Sequence, residues 1–354
     1  MIKMSEKIAN FNIHNLLKIT VRTYNRKFHR VINRIKLEYE QFTCEPFNDS
    51  DVNINVIVGR IAKSTLKSFV RIDNKFLVGR DWMYFKDSYK IAKWETLIKD
   101  IHSDTINVII EPNFFASDLI PPLILTPLIF FQLLKERYLL AHAAGISDGH
   151  NAVLLTGFGG AGKTLNVLRA LSNGMKFLGD DHVIIHGGEV LAFPTAISLF
   201  EYNIPQKAGW LRPWRFELTL KNLINKATLG YIYPVTKASI RRAFPNLVAK
   251  RSSVKAVLLL ERSNTHEMTV EQMTVGELAV AWFRNILLDT LYLYKYLSAY
   301  SYVNPEFSLK EYLERVRNLL IDNLLKCESL IKVRVPEGKD VVRLISDFLQ
   351  GDDK

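Results

Sequence analysis

The sequence predicts an α/β protein in which a mixed sheet with flanking helices follows a smaller, mostly antiparallel β region and a basic N-terminal helix. Three observations predict it. A short apolar run, Asn151 to Thr156, leads into the glycine-rich stretch Gly157-Phe158-Gly159-Gly160-Ala161-Gly162, after which Leu165, Leu168 and Leu171 recur at helical spacing. Between Phe47 and Glu111 short apolar runs alternate with turns. Ahead of these, Leu17, Val21, Tyr24, Phe28, Val31 and Ile35 keep a helical period while Lys18, Arg22, Arg26, Arg30 and Arg34 fan across the opposite side.

Composition sets the outer limits. The chain has 354 residues, 48% hydrophobic and 23% charged, which supplies one large core or two modest ones and excludes a disordered chain. A net charge of +11 favours acidic partners: a nucleotide, a phosphorylated metabolite, nucleic acid or an anionic membrane. Cys44 and Cys327 have no companion ligands at metal spacing and read as reduced thiols of a cytoplasmic protein. No apolar h-region with a cleavage site follows Met1 to Lys7, and the longest apolar run, Leu119 to Leu134, is interrupted by Pro121, Pro122 and Pro127. Neither a signal peptide nor a membrane span is expected.

Residues 1–40 are expected to form a basic amphipathic extension, with nine Lys or Arg against three Glu. Through residues 15–40 such a helix could hold the protein peripherally to an anionic membrane surface or to a protein partner. It could also pack on its own protein, or on a second subunit of a homo-oligomer, with the basic face solvated. Nucleic acid lacks support, because neither a helix-turn-helix pattern nor an aromatic-interleaved basic strand is present. Residues 41–125 read as a small α+β subdomain with strands at Val52 to Val58, Phe76 to Val78, Met83 to Phe85 and Asn107 to Glu111, parted by turns such as Gly59-Arg60 and Asn74-Lys75. No chemistry is legible there.

Residues 126–354 are expected to form the main domain. Thr126 and Pro127 open a helix to about Arg137. A strand from Tyr138 to Ile146 then turns at Ser147-Asp148-Gly149-His150 into the strand before the glycine stretch, so His142 should lie on that strand's neighbour. Flanked by alanines, His142 is either a satisfied core residue or a functional one.

Gly157 to Thr164 satisfies G-x-x-x-x-G-K-[ST], the Walker A or P-loop pattern. Gly157, Gly159, Gly160, Ala161 and Gly162 let the backbone close around a polyphosphate with its N–H groups turned inward. Lys163 supplies a charge for the β- and γ-phosphates of ATP, and the Thr164 hydroxyl is placed to ligate Mg²⁺. The mixed sheet is therefore expected to be a P-loop nucleotide-binding sheet.

Asn173-Gly174 stops the helix, and Met175 to Gly179 forms a strand that ends in Asp180-Asp181. If a right-handed crossover places this strand beside the first, both carboxylates emerge at the phosphate edge, one for the metal and one as base. An ordinary acidic turn before a strand from His182 to His186 is the alternative. Gly187-Gly188 makes a hairpin to Glu189 through Phe193. Arg241, Arg242, Lys250 and Arg251 gather before a strand from Val254 to Glu261; one of them could reach a transferring phosphate, or all could serve solubility. Thr274 with Glu277, and Ser308 with Glu311, make capping boxes for helices to about Leu287 and Leu325. A strand from Leu330 to Val335 and a last helix to Leu349 close the chain.

From Leu139 to Phe200 the residues resemble the catalytic domain of HPr kinase/phosphorylase and its relatives in the phosphoenolpyruvate-carboxykinase-like group. The shared features are the order of elements, the offset from His142 to Gly157 and that from Gly157 to Asp180. The resemblance implies that Lys163 binds the phosphates, that Thr164 and Asp181 hold Mg²⁺, and that Asp180 takes the proton of an acceptor hydroxyl while His142 orients or tunes it. It also implies an ATP- and Mg²⁺-dependent kinase acting on a serine of a peptide or protein, or on a small metabolite. The alternative from another class is a nucleotide-dependent scaffold module for a membrane or protein partner. Leu191-Ala192-Phe193-Pro194 stands where the bifunctional enzymes carry the glycine-rich segment that supports the phosphorylase reaction.

Overall fold

The structure is a computed structural model that describes residues 6–199, 209–229 and 235–350. It is a mixed α/β protein with two mixed sheets and, among the described residues, nine α-helices. The chain divides into two compact units, 1–136 with 290–314, and 137–289 with 315–354. The division after Glu136 differs from the expected start of a main domain at 126, because the helix over Thr126–Lys135 buries its apolar residues in the first unit.

The first unit carries eight strands: β1 (Lys7–Ile13), β2 (Leu17–Thr23), β3 (Ile54–Val58), β4 (Val70–Ile72), β5 (Phe76–Val78), β6 (Trp82–Tyr89), β7 (Ala92–Lys99) and β8 (Ile106–Pro112). Their order is β1-β2-β3-β8-β7-β6-β5-β4, parallel only where β3 meets β2 and β8. Two helices belong with it, α1 (His29–Glu38) and α2 (Thr126–Lys135), and Tyr39 Oη meets Thr126 Oγ1 at 2.7 Å.

The continuous basic helix expected over residues 15–40 is not formed. Its first half is β2, paired antiparallel with β1 through a turn in which His14 and Asn15 take φ 54° and 61°. Two positive φ values in succession give the left-handed hairpin turn that matches strand twist. A spacing of four residues keeps side chains on one face in a helix and in a strand alike, so Leu17 and Val21 satisfied both periods. Ile19 and Thr23, buried beside them, favour the strand. The basic stripe disperses accordingly: Lys18 sits 3.5 Å from Asp51, and Arg34 pairs with Asp118 at 2.7 Å from α1.

The second unit begins with β9 (Leu139–Ala141), β10 (Ala144–Ser147) and β11 (Asn151–Thr156), then α3 (Lys163–Ser172), β12 (Lys176–Gly179), β13 (Val183–His186) and β14 (Glu189–Leu191). It continues through β15 (Ile197–Leu199), α4 (Arg215–Ala227), β16 (Thr236–Ala238), α5 (Ile240–Ala243), β17 (Arg251–Ser263), β18 (Thr269–Gln272) and α6 (Val275–Asp289). After α7 (Leu291–Val303), the chain returns through α8 (Leu309–Leu324), β19 (Ser329–Pro336) and α9 (Val342–Gln350). Helix α7 belongs to the first unit, where its Tyr296 stacks on Phe85 with ring centroids 4.0 Å apart. The expected strand from Tyr138 to Ile146 is broken at His142-Ala143 into β9 and β10, which pair with different neighbours.

The nine-stranded sheet runs β12-β10-β11-β17-β14-β13-β9, with β19 on β17 and β18 on β19; β15 and β16 form a separate ribbon. Strand β12 does not lie directly beside β11, since β10 intervenes and is antiparallel to both. Two strands each antiparallel to a third are parallel to one another, so the C-terminal ends of β11 and β12 share an edge despite the inserted strand. Phe177, Val153, Leu155, Leu168, Leu171 and Leu258 are buried in one core that joins the sheet to α3. The first capping box forms, Thr274 N donating to Glu277 Oε2 at 2.8 Å and Glu277 N to Thr274 Oγ1 at 3.3 Å, while at the second Glu311 N donates to Ser308 Oγ at 3.2 Å. No helix among the described residues is long and apolar enough to cross a membrane. Met1 to Ser5, and Phe200 at the end of the resembling stretch, lie outside the described residues.

Candidate functional site

One edge of the nine-stranded sheet collects the residues that the sequence singled out. Strand β11 ends at Thr156 and passes into the glycine-rich loop; β12 ends at Gly179 and passes into Asp180. The register pairs Ala144 with Leu155 and Gly145 with Gly179, which sets both strand ends level with the start of β10. The joint carrying His142 and the start of β13 lie at the same edge, because Val183 pairs with Ala141. A cleft of about 340 Å³ opens here, lined by His142, the loop from Phe158 to Thr164, Asp180, Asp181, Ser198 and Arg262.

The loop is shaped by three glycines in positive-φ conformations, Gly157 (146°), Gly160 (84°) and Gly162 (97°). At Gly157 a side chain would also strike the Leu260 carbonyl oxygen, 2.5 Å from the Cβ position, because the loop crosses β17 there. Gly162 caps α3 without a side-chain acceptor, and the first helical bond is Asn166 N to Gly162 O at 3.1 Å. The N–H groups ahead of Asn166 are left without intrahelical acceptors, which makes this end of α3 receptive to an anion.

Lys163 is only 7% exposed, and its Nζ donates to Gly157 O at 2.5 Å. Burial lowers its pKa, and the carboxylates of Asp181, Asp180 and Asp289 pull it back up. Asp180 is 3% exposed. Burial, reinforced by the charge of Asp181, pushes its pKa up to about 7, against the pull of the Thr164 hydrogen bond, Lys163 and Lys237. Thr164 Oγ1 donates to Asp180 Oδ2 at 3.1 Å, while Asp180 Oδ1 is buried without a hydrogen-bond partner among the described residues. The Thr164 hydroxyl and the adjacent carboxyl groups of Asp180 and Asp181, with Oδ1 of Asp180 unused, form a set of hard oxygen donors that fits Mg²⁺.

His142 pairs with Asp289, not with Asp180. Its Nδ1 lies 3.2 Å from Asp289 Oδ1, within ion-pair range although out of line for a hydrogen bond. His182 Nε2 lies 2.6 Å from Asp289 Oδ2. Burial alone would raise the Asp289 pKa, but the charges of His182 and His142, with the hydrogen bond to His182, outweigh it and hold the carboxyl below its usual range. Helix α6 braces this corner: Trp282 Nε1 donates to His142 O at 3.0 Å, and Asn285 Nδ2 donates to Gly157 O at 2.8 Å.

Four charged residues at or near the cleft escaped the sequence reading: Arg262, Lys237, His182 and Asp289. Of the basic residues, none of Arg241, Arg242, Lys250 and Arg251 lines the cleft, whereas Arg262 does. Strand β17 is parallel to β11 and begins at Arg251, so Lys250 and Arg251 stand at the far edge, while Arg241 and Arg242 are exposed outside the cleft. Eleven residues of strand, about 36 Å at 3.3 Å each, carry the chain from Arg251 to Arg262. Arg262 Nε then lies 3.4 Å from Gly160 O. The signal was present in the sequence, since Arg262 directly follows the expected strand Val254 to Glu261, but the parallel pairing of that strand was not. No family model matches the chain, and no curated protein is similar enough to count as a relative.

Proposed function

We propose that the second unit is a P-loop phosphotransferase of the HPr kinase-like type, passing the γ-phosphate of ATP, with Mg²⁺, to a hydroxyl acceptor. The acceptor is a serine of a peptide or protein or an alcohol of a small metabolite. The observation that carries this reading is the contact between Thr164 and Asp180. It joins the glycine loop and its lysine to a buried carboxyl group whose pKa of about 7 suits a base working near neutral pH.

In this reading the loop N–H groups and Lys163 hold the β- and γ-phosphates, and Arg262 faces the charge that spreads over the transferring group. Thr164 and Asp181 would hold Mg²⁺, which neutralises phosphate charge when bound. Asp180 takes the acceptor proton as the acceptor oxygen bonds to the γ-phosphorus and the bond to the β-phosphate oxygen breaks, releasing ADP. His142, held by Asp289 and not by the base, lines the same cleft from the joint between β9 and β10. A loose transition state asks little of the base until late, so positioning and charge neutralisation supply most of the acceleration.

The test is incubation with γ-labelled ATP, Mg²⁺ and fractionated lysate. Label should pass to a protein or small-molecule fraction, and Lys163→Ala should weaken ATP binding roughly 10- to 100-fold, the worth of a charge-assisted contact. Absence of ATP binding by the wild-type protein would overturn the reading. Binding without transfer to any fraction would instead favour a nucleotide-dependent scaffold module.

A further inference from the structure

We infer that His142, His182 and Asp289 form a binding site for a single Zn²⁺ ion on the cleft wall, separate from the Mg²⁺ ligands Thr164 and Asp181. One ligand atom from each residue lies within 4.8 Å of the other two. Four ligands placed tetrahedrally about 2.0–2.1 Å from zinc lie about 3.4 Å from one another. His142 Nδ1 lies 3.2 Å from Asp289 Oδ1 and His182 Nε2 lies 2.6 Å from Asp289 Oδ2, close to the separation that such a set requires.

The donor chemistry selects the ion. Two imidazoles and one carboxylate make the three-ligand set of open zinc sites, whereas Mg²⁺ takes oxygen donors. Neither cysteine is needed. His142 Nδ1 is buried and has no aligned hydrogen bond, a deficit that a cation removes.

Three separate segments converge on this point. His142 occupies the joint between β9 and β10, His182 immediately precedes β13, and Asp289 is the last residue of α6. The His142 backbone and helix α6 are anchored. Trp282 Nε1 and Thr156 Oγ1 both donate to the His142 carbonyl, at 3.0 and 3.3 Å, while Asn285 on α6 is tied to the glycine loop. His182 and His142 face each other edge to face, with ring centroids 5.5 Å apart. A preorganised backbone of this kind is what an ion site requires beyond its ligands.

Because His142 lines the cleft, the fourth position of the ion is open to an anionic oxygen from that side. The site needs only these three side chains and stands independently of the phosphotransfer reading.

The test uses nucleotide-free, full-length protein and metal alone. Co²⁺ should bind with one-to-one stoichiometry and show the visible absorption of a four-coordinate ion, displaced by Zn²⁺ but not by excess Mg²⁺. His182→Ala and Asp289→Asn should each weaken binding by about tenfold or more, with unchanged circular dichroism. A Cys44→Ala, Cys327→Ala double variant should bind as the wild type does. If the histidine or aspartate variants do not fold, mass spectrometry of the wild-type protein gives the answer: Zn²⁺ should protect His142 and His182 from diethyl pyrocarbonate while His150 remains reactive. Absence of stoichiometric binding, equal binding by both folded variants, or no protection of the two histidines would overturn the site. ATP binding in the same samples is a separate readout that the zinc site does not predict.

Discussion

Replacing Asp180 with asparagine separates the stability of the cleft from its chemistry. The carboxyl group ordinarily titrates at 3.8 and is pushed up to about 7 in the folded protein. A group with a raised folded pKa favours folding while both states are protonated and progressively opposes it as pH rises through the window between the two values. The penalty is about 2 kcal/mol at pH 5 and about 4 kcal/mol at pH 8. The Asp180→Asn substitution removes this penalty, and the amide oxygen it introduces still accepts the Thr164 hydroxyl. The variant should therefore gain roughly 2 kcal/mol more at pH 8 than at pH 5, or about 4–8 °C more in Tm for a unit of this size. The attraction of Lys163 for ionised Asp180 is already contained in the value of about 7. Differential scanning calorimetry of nucleotide-free protein at the two pH values measures the effect. Phosphoryl transfer, followed in parallel, should fall about 10²- to 10⁴-fold. An equal Tm offset at both pH values, or a variant less stable than wild type at pH 8, would refute a carboxyl group raised by burial.

The position of Arg262 distinguishes it from the other basic residues. Arg262→Ala should reduce transfer about 10²- to 10³-fold, the worth of one preorganised charge donor, whereas Arg251→Ala, at the far edge of β17, should leave the rate unchanged in the same assay. Among the loop glycines, Gly162→Ala meets a φ of 97° and places its Cβ 2.7 Å from the Arg262 guanidinium. It should cost about 1–2 kcal/mol for the left-handed backbone alone and weaken nucleotide binding. Gly159→Ala meets nothing within 4 Å and should leave chemical denaturation unchanged.

Local order was legible wherever a short stretch of chain specifies its own geometry. The run Asn151 to Thr156, the glycine loop, the helix after it and the strand before Asp180 stand where the sequence placed them, and the hydroxyls of Thr274 and Ser308 cap their helices. Lys163, Thr164, Asp180 and Asp181 were legible for the same reason: their spacing along one strand-loop-helix-strand segment restricts where they can go. Residues 15–24 were misread because a four-residue apolar spacing suits a strand as well as a helix, and pairing with β1 decided between them.

Everything that depends on two distant segments meeting was decided by the tertiary structure. The insertion of β10 between β11 and β12, the return of α7 to the first unit, and the run of β17 from Arg251 to Arg262 all follow from strand pairing and burial. So does the meeting of His142, His182 and Asp289, the last of which is 107 residues from His182. Residue type and spacing determined the shape of the loop. Long-range packing, which carries no periodicity along the chain, decided which charges surround it.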